Sequence, residues 1–189
     1  MKVLLVINSL ATGGAEKLIL DLLPKFNSID AIDVELLLLN GKKTPFLKVL
    51  EASSSSKVSY LSSGSVYNPL IIFKLIPYVR KYKIIHVHLF PALYWVALAK
   101  FISFASVKLI FTEHNTYNRR RNNKFLRWID RFIYRHYSKI ITISTEVKLF
   151  LKEHLGLKNK KFITITNGVD LSKFNQIRKK KPLQSSQEQ

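Results

Sequence analysis

The opening stretch of the chain constrains its fold more than any other. Lys2-Val3-Leu4-Leu5-Val6-Ile7 is a run of β-branched and leucine side chains without alternation, the pattern of a strand buried on both faces and so of a parallel sheet. A short polar turn then leads through Gly13-Gly14-Ala15-Glu16 into residues 17–23, where Leu18, Leu22 and Leu23 recur at helical spacing and predict a helix packed on that sheet. The glycine pair therefore lies in a strand-to-helix turn. The first amides of a helix lack internal partners and carry the positive end of the macrodipole, so a phosphate or diphosphate suits such a turn. The same pair also suits an ordinary tight turn, and spacing alone does not choose between the two.

Beyond this unit, strands alternate with helices. Residues 33–39, 57–61, 84–88, 107–112, 139–143 and 162–165 read as further strands, and Asn40-Gly41 ends the second. Helices are predicted over 44–52 with Pro45 in the first turn, 68–82 with Asn68 as cap and Pro77 as a point of kinking, 91–103, 125–137 and 145–155. Gly156 closes the last as a left-handed cap. Residues 53–56 form a polar loop. This order predicts a Rossmann-like, doubly wound α/β fold: a mostly parallel sheet of about seven strands with helices on both faces, binding ligands beyond the carboxyl ends of the strands.

At 189 residues, 47% of them hydrophobic, the chain is long enough for one domain with a full core. The domain is predicted over 1–175, with 176–189 a linker or disordered tail that carries Lys179-Lys180-Lys181 and no apolar pattern. The absence of cysteine excludes disulfides and thiolate metal sites. The apolar run 3–7 is too short for a signal peptide, and 89–104 is interrupted by Lys100 and falls short of the roughly 20 residues of a membrane span. Against 12 acidic residues stand 31 basic ones, a net charge of +19, which favours polyanions, anionic membranes or phosphorylated ligands.

The strand-end rule collects Asn8, Gly13, Gly14, His88, Glu113, His114, Asn115, Ser144, Asn167, Gly168 and Asp170 into one candidate crevice. His86 and His88 share a face because strand side chains alternate. His86, expected to be the deeper, reads as a buried structural histidine, and His88 as a ligand or acid/base group. A zinc site would need a third ligand that the spacing does not supply. Glu113 beside His114 is either an acid/base pair or a solvated strand end. Arg119, Arg120, Arg121, Lys124, Arg127 and Trp128 open a basic, aromatic stretch that suits an anionic membrane surface or a nucleic-acid backbone, or else is a surface helix with its aromatics turned inward.

Gly13-Gly14-Ala15-Glu16, His86-Val87-His88, Thr112-Glu113-His114-Asn115, Ile143-Ser144 and Asn167-Gly168-Val169-Asp170 follow one another in an order that resembles family 4 glycosyltransferases, retaining enzymes of the GT-B architecture. The resemblance covers nearly all of 1–175 and is to the amino-terminal, acceptor-side domain. It implies that Gly13 and Gly14 approach the diphosphate of a nucleotide-sugar, that His88 lies beside the transferred sugar, and that the loop after the fifth strand borders a glycan or lipid-linked acceptor. It also implies polysaccharide biosynthesis, no metal and no cofactor beyond the donor substrate, no nucleic acid, and a cytoplasmic location with peripheral contact at the inner membrane face. In that family the donor is recognised mainly by a second, carboxyl-terminal domain, whose paired glutamates do not occur here. The chain alone is therefore expected to be inactive.

Two other classes were weighed. A dinucleotide-dependent oxidoreductase needs Gly-x-Gly-x-x-Gly in the first turn and an acid closing the second strand; here only Gly13-Gly14 and Leu39-Asn40 stand there. A non-enzymatic module binding anionic membrane or nucleic acid needs its charge gathered on one surface.

Overall fold

The computed structural model describes residues 1–52, 57–114, 123–166 and 168, with Lys124 described by its backbone alone. Strands and helices alternate throughout: β1 (Lys2–Ile7), α1 (Gly14–Asn27), β2 (Asp33–Asn40), α2 (Pro45–Ala52), β3 (Lys57–Ser62), α3 (Ile71–Lys81), β4 (Ile84–His88), α4 (Ala92–Ser103), β5 (Lys108–Glu113), α5 (Lys124–Arg135), β6 (Tyr137–Thr142), α6 (Thr145–Leu155) and β7 (Phe162–Thr164). The strands form one parallel sheet in the order β3-β2-β1-β4-β5-β6-β7. Strand order reverses between β1 and β4, the point at which ligands of such sheets bind.

Right-handed crossovers dictate which helix covers which face. Connections running from β1 towards β3 place α1 and α2 on one side, where Ala15, Ile19, Leu23, Leu47 and Leu50 pack on Leu5, Ile7, Leu36 and Leu38. Connections running the other way place α3 to α6 on the opposite side, where Leu75, Val96, Ile133 and Leu151 pack on Val6, Val87, Phe111 and Ile140. Period-2 alternation then sends His86, His88 and Thr112 to the α1 side, because Ile85, Val87 and Phe111 are taken by the other.

Two local details depart from the sequence reading. Helix α3 starts at Ile71, and the Asn68 side chain accepts the Leu70 N–H at 3.0 Å, closing a turn ahead of the helix instead of capping it. Helix α1 runs through Pro24, which stands beyond the stretch predicted from leucine spacing. The polar loop 53–56 and the tail 176–189 lie outside the described residues. Gly156 adopts φ 62° and donates its N–H to Lys152 at 2.9 Å, the left-handed cap that its sequence position predicts.

Candidate functional site

The carboxyl ends of β1, β4 and β5 lie side by side, and three histidine rings from β4 and β5 stack there. Ring centroids are 4.3 Å apart for His86 and His88 and 5.4 Å for His88 and His114. The Nε2 of His86 shares a hydrogen bond with the Thr112 hydroxyl at 2.7 Å, and His88 Nδ1 shares one with His114 Nε2 at 3.1 Å. His88 Nε2 is buried with no partner. An orphaned buried nitrogen carries a desolvation cost, and a ligand hydroxyl or phosphate oxygen would relieve it.

The depth order of the two strand histidines is the reverse of the sequence expectation. His88 is 2% exposed, roofed by its two neighbours, whereas His86 is half-buried on a stretch of sheet where β4 carries no helix of its own on this face. Burial lowers the His86 pKa to about 4, with a smaller contribution from His114, and burial alone lowers His114 to about 4. Burial followed by repulsion from His86 and His114 holds His88 well below its ordinary value. All three rings are neutral at neutral pH, so each offers one N–H and one lone pair.

The backbone after His88 is held under strain. Leu89 adopts φ 65°, unusual for a residue with a Cβ. Asn8, at the end of β1, grips this turn from both sides: its Nδ2 donates to the Phe90 carbonyl at 2.7 Å and its Oδ1 accepts the Ala92 N–H at 3.1 Å. Asn8 thereby positions the turn beyond His88. No local sequence pattern marks the left-handed Leu89.

Helix α1 begins at this rim with Gly13 as N-cap in extended backbone and no side chain capping it. The two glycines differ. The Glu16 carboxylate folds back against Gly13, filling the space that a Cβ would need, while nothing lies within 4 Å of the Cβ position of Gly14. Space is therefore open beside Gly14 and taken by the Glu16 carboxylate beside Gly13.

Glu113 and His114 point to opposite faces, as alternation requires. Glu113 is buried and its Oε2 accepts the Tyr134 hydroxyl at 2.9 Å, on the side of α5. The acid/base pair of neighbours does not form, and Glu113 does not share the face of His88. Ser144 is the N-cap of α6, its hydroxyl oxygen accepting the Val147 N–H at 3.3 Å, and its hydroxyl lowers the pKa of Glu146. Gly168 is exposed. Asn115, Asn167, Asp170, Arg119, Arg120 and Arg121 lie outside the described residues, as does the Lys124 side chain. Arg127 is spent within the fold: its Nε donates to the His154 carbonyl at 2.7 Å and its NH2 to that of Glu153 at 2.9 Å. The expectation that Arg127 faces a membrane gives way to a role tying α5 to α6, while Trp128 is exposed as expected for such a surface. Among the described residues, no three His, Asp or Glu are placed to hold a metal ion, and no helix is long and apolar enough to cross a membrane.

A parallel sheet with its switch point beside the N-terminus of α1 and a histidine nitrogen left without a partner defines a Rossmann-like domain. The chain belongs to Glycosyltransferase Family 4, whose family model matches residues 12–173. Its fold matches that of half of a GT-B glycosyltransferase. The structure of Anabaena Alr3699/HepE in complex with UDP and glucose is similar at a TM-score of 0.70 and 19% identity, over 95% of this chain and 50% of that one. A glycosyltransferase from Rickettsia africae ESF-5 is similar at 0.70 and 20% identity, over 92% and 45%. The lipopolysaccharide outer core galactosyltransferase WaaB in its apo form is similar at 0.67 and 14% identity, over 90% and 47%. This chain thus spans about half the length of these solved structures. Among curated proteins none matches the sequence.

Proposed function

We propose that this chain is the acceptor-side domain of a retaining glycosyltransferase that moves a sugar from a nucleotide-sugar to a glycan or lipid-linked acceptor, in polysaccharide biosynthesis. The observation that carries the reading is the partnerless, buried His88 Nε2 at the same end and on the same face of the sheet as the open N-terminus of α1. Support for a nucleotide-sugar donor comes from Alr3699/HepE, solved with UDP and with UDP-glucose.

In this reading the bond between the anomeric carbon and the diphosphate oxygen breaks, the acceptor oxygen bonds that carbon on the same face of the sugar, and the acceptor's hydroxyl proton passes to the departing diphosphate. The α1 amides at Gly14 face the leaving diphosphate, where pre-oriented donors stabilise charge as it develops. His88 Nε2 orients a sugar hydroxyl, with His114 holding the ring through Nδ1. His114 borders the acceptor. No metal or further cofactor takes part. A second domain supplies most donor contacts, so the chain alone transfers no sugar, and the domain seen here corresponds to 1–175 with a linker after it. The protein works at the cytoplasmic face of a membrane, in peripheral contact with anionic lipid.

The test has two arms. Titrating UDP-glucose into the isotopically labelled chain should shift the Gly14 amide and the His88 ring resonances, and His88→Ala should weaken that binding; shifts confined to other residues would overturn the site. Incubating the chain with nucleotide-sugars and a panel of acceptors should yield no product, and sustained turnover would overturn the need for a second domain.

A further inference from the structure

The helical flank away from His86, His88 and His114 carries an aromatic strip, with His136 packed against Phe101 and Phe132. Trp128 and Phe132 lie one turn apart on α5 and share a face. Phe132 meets Phe101 of α4 edge-on at 5.3 Å, and Phe104 follows Phe101 by three residues at the end of that helix. Trp128, Phe101 and Phe104 are all exposed, Phe104 at 91%.

Phe104 is anomalous twice over. It closes α4 in left-handed backbone at φ 52°, its N–H donating to the Lys100 and Phe101 carbonyls while the Ala105 N–H also reaches that of Lys100. Glycine normally takes that position, since a Cβ is disfavoured there. Folding therefore gains nothing from a phenyl ring that contacts almost no protein and sits in a conformation it resists. Beside it a cavity of about 790 Å³ opens at the strand-start rim, lined by Phe104, Arg80, Lys81, Lys83 and Lys108 and by no acidic side chain.

We propose that this strip and the adjoining cationic rim dock the chain on an anionic lipid bilayer, with Phe104 as the inserted side chain. An apolar ring standing proud among lysines and arginines suits the boundary between headgroups and acyl chains, where cations meet lipid phosphates and the ring leaves water. Charge complementarity selects this occupant. A second copy of a chain at +19 would be repelled, and the remaining residues 169–189 carry Lys179-Lys180-Lys181 of the same sign. The inference deepens the membrane contact proposed above and moves it from Arg127 to Phe104. Because the test reads vesicle binding alone, its failure leaves the sugar-transfer reading standing.

The experiment is sedimentation of the chain with sucrose-loaded vesicles, either of phosphatidylcholine alone or with about one third phosphatidylglycerol. Phe104→Gly suits the backbone, so its melting temperature should equal or exceed that of the original chain, while its partitioning onto anionic vesicles should fall about tenfold. Lys81→Gln with Lys83→Gln should also lower partitioning about tenfold, and the original chain should bind neutral vesicles weakly. A stable Phe104→Gly chain that binds anionic vesicles as tightly as the original overturns the proposal. So does a self-associating original chain that Phe104→Gly turns monomeric, which would make this a surface between copies.

Discussion

Strands β4 and β5 are each two strands in one, depending on the face considered. Ile85, Val87, Leu109 and Phe111 point towards α3 to α6 and are at most 2% exposed. The alternate residues His86, His88 and Thr112 point the other way, where His86 bonds Thr112, His88 bonds His114 through Nδ1, and His88 Nε2 bonds nothing. The face under α3 to α6 is apolar, whereas the ends of these strands on the α1 side carry polar rings, one of them with a nitrogen left unbonded. Stability and site chemistry are thereby separated within five residues of one strand.

Substitutions on the two faces should behave oppositely. Phe111 is buried and meets Tyr134 and Tyr137 edge-on at 5.6 and 5.7 Å, so Phe111→Ala should cost about 3–5 kcal/mol in denaturant unfolding. His88→Ala, on the opposite face, should cost roughly half as much or less at pH 7; equal losses would break the contrast.

Acid should reach the histidine face first. The pKa values of His86 and His114 fall from 6.5 to about 4 on folding, and burial holds that of His88 well below its ordinary value. The unfolded chain therefore binds more protons between those values, and stability rises with pH across that window and is lost as pH drops from 6.5 towards 4. Thermal or urea unfolding at pH 5 against pH 7 should show a loss on the order of 2–5 kcal/mol. A triple glutamine replacement of His86, His88 and His114 should flatten that slope, whereas an unchanged slope would assign it elsewhere.

Asn8→Ala sharpens the contrast at the edge of the site. It leaves the Phe90 carbonyl and the Ala92 N–H without their partner, which should cost about 1–3 kcal/mol in unfolding and displace the His88 resonances. The smallest effect is expected at the helix start. Glu16 is the only acid in the first turn of α1, and Glu16→Gln should cost about 0.3–1 kcal/mol through the macrodipole while removing a charge that an incoming diphosphate would meet. Tighter binding of UDP by this variant, read by calorimetry, would place the ligand beside Gly14; unchanged binding would place it elsewhere.

The strand-helix alternation was legible because burial on two faces leaves an unbroken apolar run such as 3–7, and because leucine spacing marks a helix. Gly156 was legible too, since a left-handed helix cap favours glycine. The membership of His88 and His114 in one cluster followed from strand-end position. Their depth did not, because which ring roofs which depends on the neighbouring strand. Asn8 and Glu113 read as site residues from their strand-end positions and Arg127 from its basic, aromatic stretch; their partners lie 82, 21 and 27 positions away, and no local pattern names them.

The amino-acid order by itself determined that this chain builds a parallel α/β sheet with a glycine turn after its first strand, and it carried the family pattern, because both are written in short-range spacing. Only the tertiary structure decided that Asn8 serves the turn beyond His88, that Glu16 takes one of the two glycines, and that His88 is left with a bare nitrogen. Hydrogen bonds and burial are settled by which distant side chain arrives, and arrival is a property of the packed sheet.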